Sequence, residues 1–289
     1  MVGTTHKPGG EGLIAFTARA AAALALVGIG LVFLMVFAYA LPVFMQKGTD
    51  AVFSWVWNPY QGQFGILPML VGSLLLAFST MLVAWPLALA LCCRLLCAPR
   101  GPVASLTGAC IRFMTAVPTV VYGFLAVFLL TPLVRQGLGG SGLCWLSAMV
   151  MLVFLVLPTM VLILESGLAQ RLDPLWPKGA AVGFSRLDLL WYFVFPGSGK
   201  LFVSAAILGF GRAVGDTLLP LMLAGNAPQV PESLADSLRA LTAHMALVTA
   251  NEVGGSAYNS LFVAGALLLG INTVISLVLR RIAAGSRDV

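Results

Sequence analysis

Six long apolar segments constrain the fold more than any other feature of this 289-residue chain. A helix needs roughly 20 apolar residues to cross the hydrocarbon core of a bilayer. The segments of about this length are 20–44, 66–91, 113–134, 142–164, 201–223 and 261–279. Because 60% of the residues are hydrophobic and only 9% are charged, a soluble domain could not cover its apolar surface. We therefore predict an all-α integral membrane protein with six transmembrane helices, the first of them retained rather than cleaved.

The positive charges predict the orientation of these helices. With the N-terminus inside, 12 of the 16 Lys and Arg residues fall in cytoplasmic segments, three fall outside and one, Arg212, lies within a span. This predicts an inner-membrane protein with a cytoplasmic tail at 1–19, a six-helix domain at 20–283 and a cytoplasmic tail at 284–289. A cytoplasmic loop at 165–200 and an outer loop at 224–260 are the longest connections. Topology also explains the net charge of +6, so nucleic acid is not an expected partner.

The sequence gives no sign of a cofactor or a catalytic group on this chain. The "GSGK" of 197–200 fails as a phosphate-binding loop, since Val194 replaces the required glycine and Leu201 follows the lysine. The cysteines at 92, 93 and 97 lack metal-ligand spacing and a nearby histidine, so free buried thiols are favoured over a metal cluster. His6 and His244 are predicted on opposite sides of the membrane. We expect no metal site and no enzymatic activity.

Two opposite charges, Arg212 and Asp216, interrupt the fifth apolar segment in "GFGRAVGDTLLP". Residues four apart share a helix face, and Arg212 is predicted close to mid-membrane. A lone charge there costs at least about 2.5–3.5 kcal/mol, which pairing offsets in part. The pair could serve a pathway or only hold helices together. Gly211 and Gly215 form a G-x-x-x-G beside it, which permits close helix packing.

Both long loops contain a predicted amphipathic or aromatic helix. In the cytoplasmic loop, the helix-capable stretch "FSRLDLLWYFVF" lies between Gly183 and Pro196, and its exposed aromatic side chains indicate either a partner surface or the headgroup layer. In the outer loop, Leu234, Leu238, Leu241 and Met245 fall on one helical face.

The cytoplasmic loop resembles the coupling loop of binding-protein-dependent ABC importer permeases, with the pattern E-A-A-x3-G-x9-I-x-L-P. Gly183 and Pro196 occupy the Gly and Pro positions without a gap, while Pro177, Lys178 and Gly179 replace E-A-A. "GRAVGDT" is similar to the G-R-A-x-G-E-T of phosphate importer permeases of the PstC/PstA type, with aspartate for glutamate. The resemblance runs from about residue 55 to 281.

This resemblance implies a six-span type I importer permease (MetI-like) for inorganic phosphate. It implies a second, PstA-like permease, an ATPase dimer that holds ATP and Mg²⁺, and an external substrate-binding protein as partners. Arg212, Asp216 and Thr217 would line the substrate pathway, and Gly183, Ser185, Arg186 and Pro196 would couple to the ATPase. The alternatives are a permease for sulfate, molybdate or phosphonate, or a membrane scaffold or sensor that does not transport.

Overall fold

The computed structural model describes residues 9–47, 53–98, 101–251 and 255–285. The predicted tails lie partly outside this range, at 1–8 and 286–289, and so does His6. The fold is helical. The described residues contain a single hairpin of two short strands, in which Trp57–Asn58 (β1) pairs antiparallel with Gln63–Phe64 (β2). This hairpin lies in the connection between the first two long helices.

The described helices outnumber the six predicted apolar segments, because several segments are broken into shorter helices. In chain order they are α1 Gly9–Lys47, α2 Leu67–Cys97, α3 Pro102–Ala116, α4 Thr119–Leu125, α5 Thr131–Leu138, α6 Trp145–Ala181, α7 Arg186–Leu189, α8 Gly199–Gly215, α9 Leu218–Leu223, α10 Leu241–Asn251 and α11 Gly255–Gly285. A π-helical turn, Ala126–Leu130, joins α4 to α5, and another, Leu190–Val194, follows α7.

Five helical segments are long and apolar enough to cross a membrane: Ala15–Pro42, Leu67–Cys97, Thr119–Leu138, Trp145–Ala181 and Tyr258–Arg281. A sixth is a bent pair, Arg186–Val194 and Pro196–Gly215, whose two parts meet at 57°. The prediction of six spans therefore matches the chain when the bent pair is counted as one, with Pro196–Gly215 as the part that coincides with the predicted fifth span.

The predicted bounds of the third and fourth spans were wrong. The third was expected to begin at 113, but α3 ends at Ala116 and Val117 is extended (φ −76°, ψ 125°). Pro118 disfavours helical geometry in the residue before it, so a new helix begins at Thr119. The fourth was expected to end at 164, but α6 continues to Ala181, with Pro174 and Pro177 inside it. The first half of the predicted cytoplasmic loop is thus helical.

The core is a packed contact of α2, α6 and α8. Small residues with no exposed surface, Ala77, Ala84 and Ala88, lie on the face of α2 that meets Leu164 and Leu168 of α6. Close approach of backbones through small residues, rather than exclusion of water, stabilises helix pairs inside a bilayer. These three helices therefore form the frame on which the charged segment is held.

The outer connection between α9 and α10 forms turns before it becomes helical. We expected Leu234 and Leu238 on the same helix as Leu241, but α10 begins at Leu241. The carboxylate of Asp236 accepts hydrogen bonds from two earlier backbone N–H groups, at 2.8 Å each, which stabilises a turn instead. Leu238 donates its N–H to the carbonyl of Ala224. The predicted continuous amphipathic helix is therefore wrong.

Candidate functional site

The charged segment is broken at Asp216. Helix α8 ends at Gly215, Asp216 is extended (φ −72°, ψ 130°), and α9 begins at Leu218. The Asp216 carboxylate accepts the backbone N–H of Leu219 at 2.9 Å. A short acidic side chain that bonds a backbone N–H three residues on competes with helix continuation, and this is the physical reason for the break.

The expected pairing of the Arg212 and Asp216 side chains is not formed. In the part of the chain that the structure describes, no ion pair within 4.0 Å joins the two side chains. Only the main chains are directly linked, through the N–H of Asp216 and the carbonyl of Arg212 at 3.1 Å. The arginine is left exposed on the surface of this chain.

Arg212 lines a cleft between three helices, with a volume of about 360 Å³ and with the apolar side chains of Ile207 and Leu208 in its wall. Thr159 of α6 and Asn272 and Ser276 of α11 also line it, beside Gly211. The arrangement places one permanent positive charge among a hydroxyl from α6, an amide and a second hydroxyl. A guanidinium with such neighbours can bind the oxygens of a small oxyanion through several hydrogen bonds at once.

Thr217 lies on the other side of the break and lines a different cleft, of about 650 Å³. The wider cleft is mostly apolar, and two further hydroxyl residues, Thr242 and Thr249 of α10, line it. The structure therefore brings the three predicted pathway residues to one short break without placing them in one cavity: Arg212 opens to one cleft and Thr217 to the other.

Helix α10 is tied both to the break and to the core. Thr242 donates its hydroxyl to the carbonyl of Asp216 at 2.9 Å. The first N–H of the helix, on Leu241, donates to the buried hydroxyl of Ser73 on α2 at 2.7 Å. A change in the backbone at Asp216 would therefore shift α10, which forms a wall of the wider cleft.

The G-x-x-x-G beside Arg212 does not act as a close-packing motif within this chain. A methyl group on Gly211 would meet the Asn272 amide at an ordinary 3.5 Å, and one on Gly215 would meet nothing within 4 Å. The tight position is Gly209, where an added carbon would lie 2.7 Å from the sulfur of Met160. Sequence reasoning missed Gly209 because it looked at the glycine pair nearest to the charges.

The predicted coupling segment begins with a glycine turn and a capped helix. Gly183 has φ +93°, which a side chain strongly disfavours. Ser185 caps α7: its hydroxyl accepts the N–H of Asp188 at 3.2 Å, and its own N–H donates to the Asp188 carboxylate at 2.9 Å. The hydrogen bonds from the side chain and backbone of Ser185 hold the pKa of Asp188 below its usual range.

Arg186 faces into the protein rather than toward the exposed side of this segment. Its guanidinium donates to the carbonyl of Leu96 in the last turn of α2 at 3.2 Å and lies 4.8 Å from the ring centroid of Trp176 on α6. The free carbonyls at a helix C-terminus favour a cation. Arg186 therefore connects the coupling segment to two helices of the core.

Apolar and aromatic side chains form the outer surface of the same segment. Leu187, Trp191, Tyr192 and Phe193 are each more than half exposed. Pro196 then begins a 3-10 turn that leads into α8 at the 57° bend. An exposed apolar and aromatic surface joined to α8 by one short turn is suited to receive a partner.

Asn272, Ser276 and Thr159 were not predicted from the sequence. The first two lie four residues apart in the last apolar segment, and this spacing, which puts them on one helix face, was the available signal. The cysteines at 92, 93, 97, 110 and 144 are free, and the described residues contain no group of three or more His, Cys, Asp or Glu that could hold a metal ion.

The fold is that of a helical membrane protein, and comparison with known proteins gives the family. Residues 90–288 match the family model of the binding-protein-dependent transport system inner membrane component. Because this covers more than half of the chain, the chain belongs to that family. Its fold is also that of an inward-facing structure of the MetNI methionine ABC transporter (TM-score 0.56, 15% identity, 78% of this chain and 95% of that one).

Several curated relatives are similar over most of the chain. A probable ABC transporter permease protein, YqgH of Bacillus subtilis (strain 168), is 27% identical over 81% of this chain and 76% of its own length. The phosphate transport system permease protein PstC of Mesorhizobium japonicum is 26% identical over 92% of this chain and 87% of its own. PstC of Pasteurella multocida is 25% identical over 76% and 74%.

Proposed function

We propose that this chain is a permease subunit of an ATP-driven importer of inorganic phosphate. The observation that carries the proposal is the exposed guanidinium of Arg212 in a cleft that also holds two hydroxyls and an amide, in a chain similar to proteins named as phosphate permeases. The fork of N–H donors on arginine matches the oxygens of phosphate, and the hydroxyls of Thr159 and Ser276 can serve its remaining oxygens.

Asp216 has two roles in the proposed mechanism. One carboxylate oxygen, Oδ2, caps α9, while within the described residues Oδ1 makes no hydrogen bond. Asp216 lines neither cleft but stands one helical turn beyond Arg212, so its role falls where the anion passes the break. Phosphate keeps at least one proton near neutral pH, and Oδ1 can accept a hydrogen bond from it, whereas a fully ionised sulfate would be repelled. Arg212 thus attracts the anion and Asp216 favours the protonated one.

The chain supplies the path, and its partners supply the energy and the substrate. We propose a PstA-like second permease, an ATPase dimer that holds ATP and Mg²⁺, and a substrate-binding protein on the outer side. The exposed surface of Leu187, Trp191, Tyr192 and Phe193 would contact the ATPase. The distribution of positive charges supports a cytoplasmic location for both termini. No catalytic role is proposed for the chain itself.

Reconstitution with sulfate as competitor tests the substrate. Vesicles that contain this chain, its partner permease, the ATPase and the binding protein should take up radiolabelled phosphate with ATP, and a hundredfold excess of sulfate should not reduce the uptake. Preferred uptake of sulfate, molybdate or a phosphonate would refute phosphate as the substrate. An assembled complex that moves none of these anions would favour the scaffold alternative.

A further inference from the structure

A second cleft adjoins the cleft of Arg212. It has a volume of about 250 Å³ and is lined by Asn272, Thr273, Ser276, Leu277 and Arg280, all on α11. Asn272 and Ser276 line both clefts. The two cavities therefore meet along one face of α11 instead of being separate depressions on the surface.

The polar groups on this face are free to bind a ligand. Within the described residues, the side chains of Asn272 and Ser276 make no hydrogen bond, although serines in helices often bond to the carbonyl four residues before them. The neighbouring Thr273 does so, donating its hydroxyl to the carbonyl of Leu269 at 2.7 Å. Polar side chains without hydrogen-bond partners are costly in an apolar segment, and contact with a passing polar ligand would explain this amide and hydroxyl.

The charges at the two ends of this face have the same sign. Residues 272, 276 and 280 follow at intervals of four on α11, so each lies about 6 Å beyond the last along the helix axis. Arg212 stands at one end and Arg280 at the other, and none of the described residues that line the two clefts is acidic. Such an arrangement attracts anions along its whole length.

We propose that Asn272, Ser276 and Arg280 form the inward release path for the small oxyanion bound at Arg212. This inference rests on the proposed function, since it supplies the route that the same anion takes to the cytoplasmic end of α11. Arg280 draws the anion away from Arg212, while Asn272 and Ser276 replace its lost water contacts between the two charges. The path shares its walls with α6 and α8 at Arg212 and is formed by α11 alone at Arg280.

The test measures access of charged reagents to this face, which does not depend on which anion is transported. Ser276→Cys is introduced into a chain whose native cysteines are replaced. This variant is assembled into the complex and studied in inside-out vesicles without nucleotide. The reaction rates with an anionic and a cationic methanethiosulfonate reagent of similar size are compared. We expect the anionic reagent to react faster, and Arg280→Gln to lower the anionic-to-cationic ratio about tenfold.

Arg281 provides the matched control. It follows Arg280 directly and carries the same charge at the same depth, but it lines neither cleft. Arg281→Gln should change the ratio less than about threefold, because its charge does not face the path. Arg280→Lys, which keeps the charge, should preserve the ratio, and co-purification of the ATPase with each variant verifies assembly.

The outcomes separate this inference from the function on which it rests. A thiol at 276 that does not react, or reacts without charge preference, would overturn the path; so would equal effects of Arg280→Gln and Arg281→Gln. Such a result would indicate that the partner permease or lipid covers this face. If labelling follows the expected pattern but the same vesicles take up no phosphate, the anion path stands and the phosphate assignment fails.

Discussion

The break at Asp216 allows its structural role to be separated from its electrostatic role. Asp216→Asn keeps an oxygen that can accept the Leu219 N–H but removes the charge. Asp216→Ala removes both, and Asp216→Glu keeps the charge but moves the acceptor one methylene farther from a hydrogen bond now 2.9 Å long. Comparison of Asp216→Asn with the parent therefore isolates the charge, and comparison of Asp216→Ala with Asp216→Asn isolates the capping oxygen.

The expected energies follow from the single hydrogen bond that the carboxylate makes to α9. Loss of such a cap costs about 0.5–2 kcal/mol, so Asp216→Ala should destabilise the complex by about 1 kcal/mol, while Asp216→Asn should lie within a few tenths of the parent. If the charge selects protonated phosphate, Asp216→Asn should admit sulfate as a competitor of phosphate uptake, although its stability is unchanged.

Denaturation in mixed micelles measures the stability of each variant, and phosphate uptake with and without sulfate measures its selectivity. If Asp216→Asn is as unstable as Asp216→Ala, the capping oxygen is not the stabilising feature and the account of the break fails. If Asp216→Asn keeps the parent's discrimination against sulfate, the carboxylate does not select by charge.

Three further predictions concern positions away from the clefts. Ser73→Ala leaves the buried N–H of Leu241 without a partner and should lower the free energy of unfolding by about 1–3 kcal/mol, measured by denaturation of the complex. Ser166→Ala, at an exposed hydroxyl, is the control and should change it by less than about 0.5 kcal/mol. In Gly183→Ala the alanine must hold φ +93°, which should lower the free energy of unfolding by about 1–2 kcal/mol, although no atom blocks the methyl group. A variant with the parent's stability and with ATPase activity still coupled to uptake would contradict this. Because its pKa is lowered in the folded state, Asp188 stabilises α7 above the ordinary aspartate pKa of about 3.9, and the stabilisation is lost as the pH falls through the lowered pKa. Amide exchange in α7 should therefore accelerate in Asp188→Asn at neutral pH, and an equal acceleration in acid would count against the capping role.

The apolar segments were readable from the sequence because a bilayer demands length and hydrophobicity, and both are visible in composition. The turn at Gly183 and the bend at Pro196 were also predictable, since each follows from one residue's backbone preference. The start of the third span could have been found from Pro118, which disfavours helical geometry at Val117.

The break at Asp216 could not be read in the same way. Hydropathy treats 201–223 as one apolar segment, whereas the break depends on which backbone N–H the carboxylate accepts. The partners of Arg212 were equally hidden, because Thr159, Asn272 and Ser276 come from helices far apart in the sequence and meet only when α6, α8 and α11 pack. The structure therefore assigns to Arg212 polar neighbours in place of the expected ion pair.

The measurement that tests the central claim most directly is phosphate uptake by the reconstituted complex with Arg212→Ala and Arg212→Lys. The account predicts that Arg212→Ala reduces ATP-dependent uptake at least about tenfold while the ATPase still co-purifies, and that Arg212→Lys, which keeps the charge without the planar fork, retains part of it. Uptake that is unchanged in Arg212→Ala would contradict the account, because the anion would then cross this chain without the one charge that lines its cleft in the membrane.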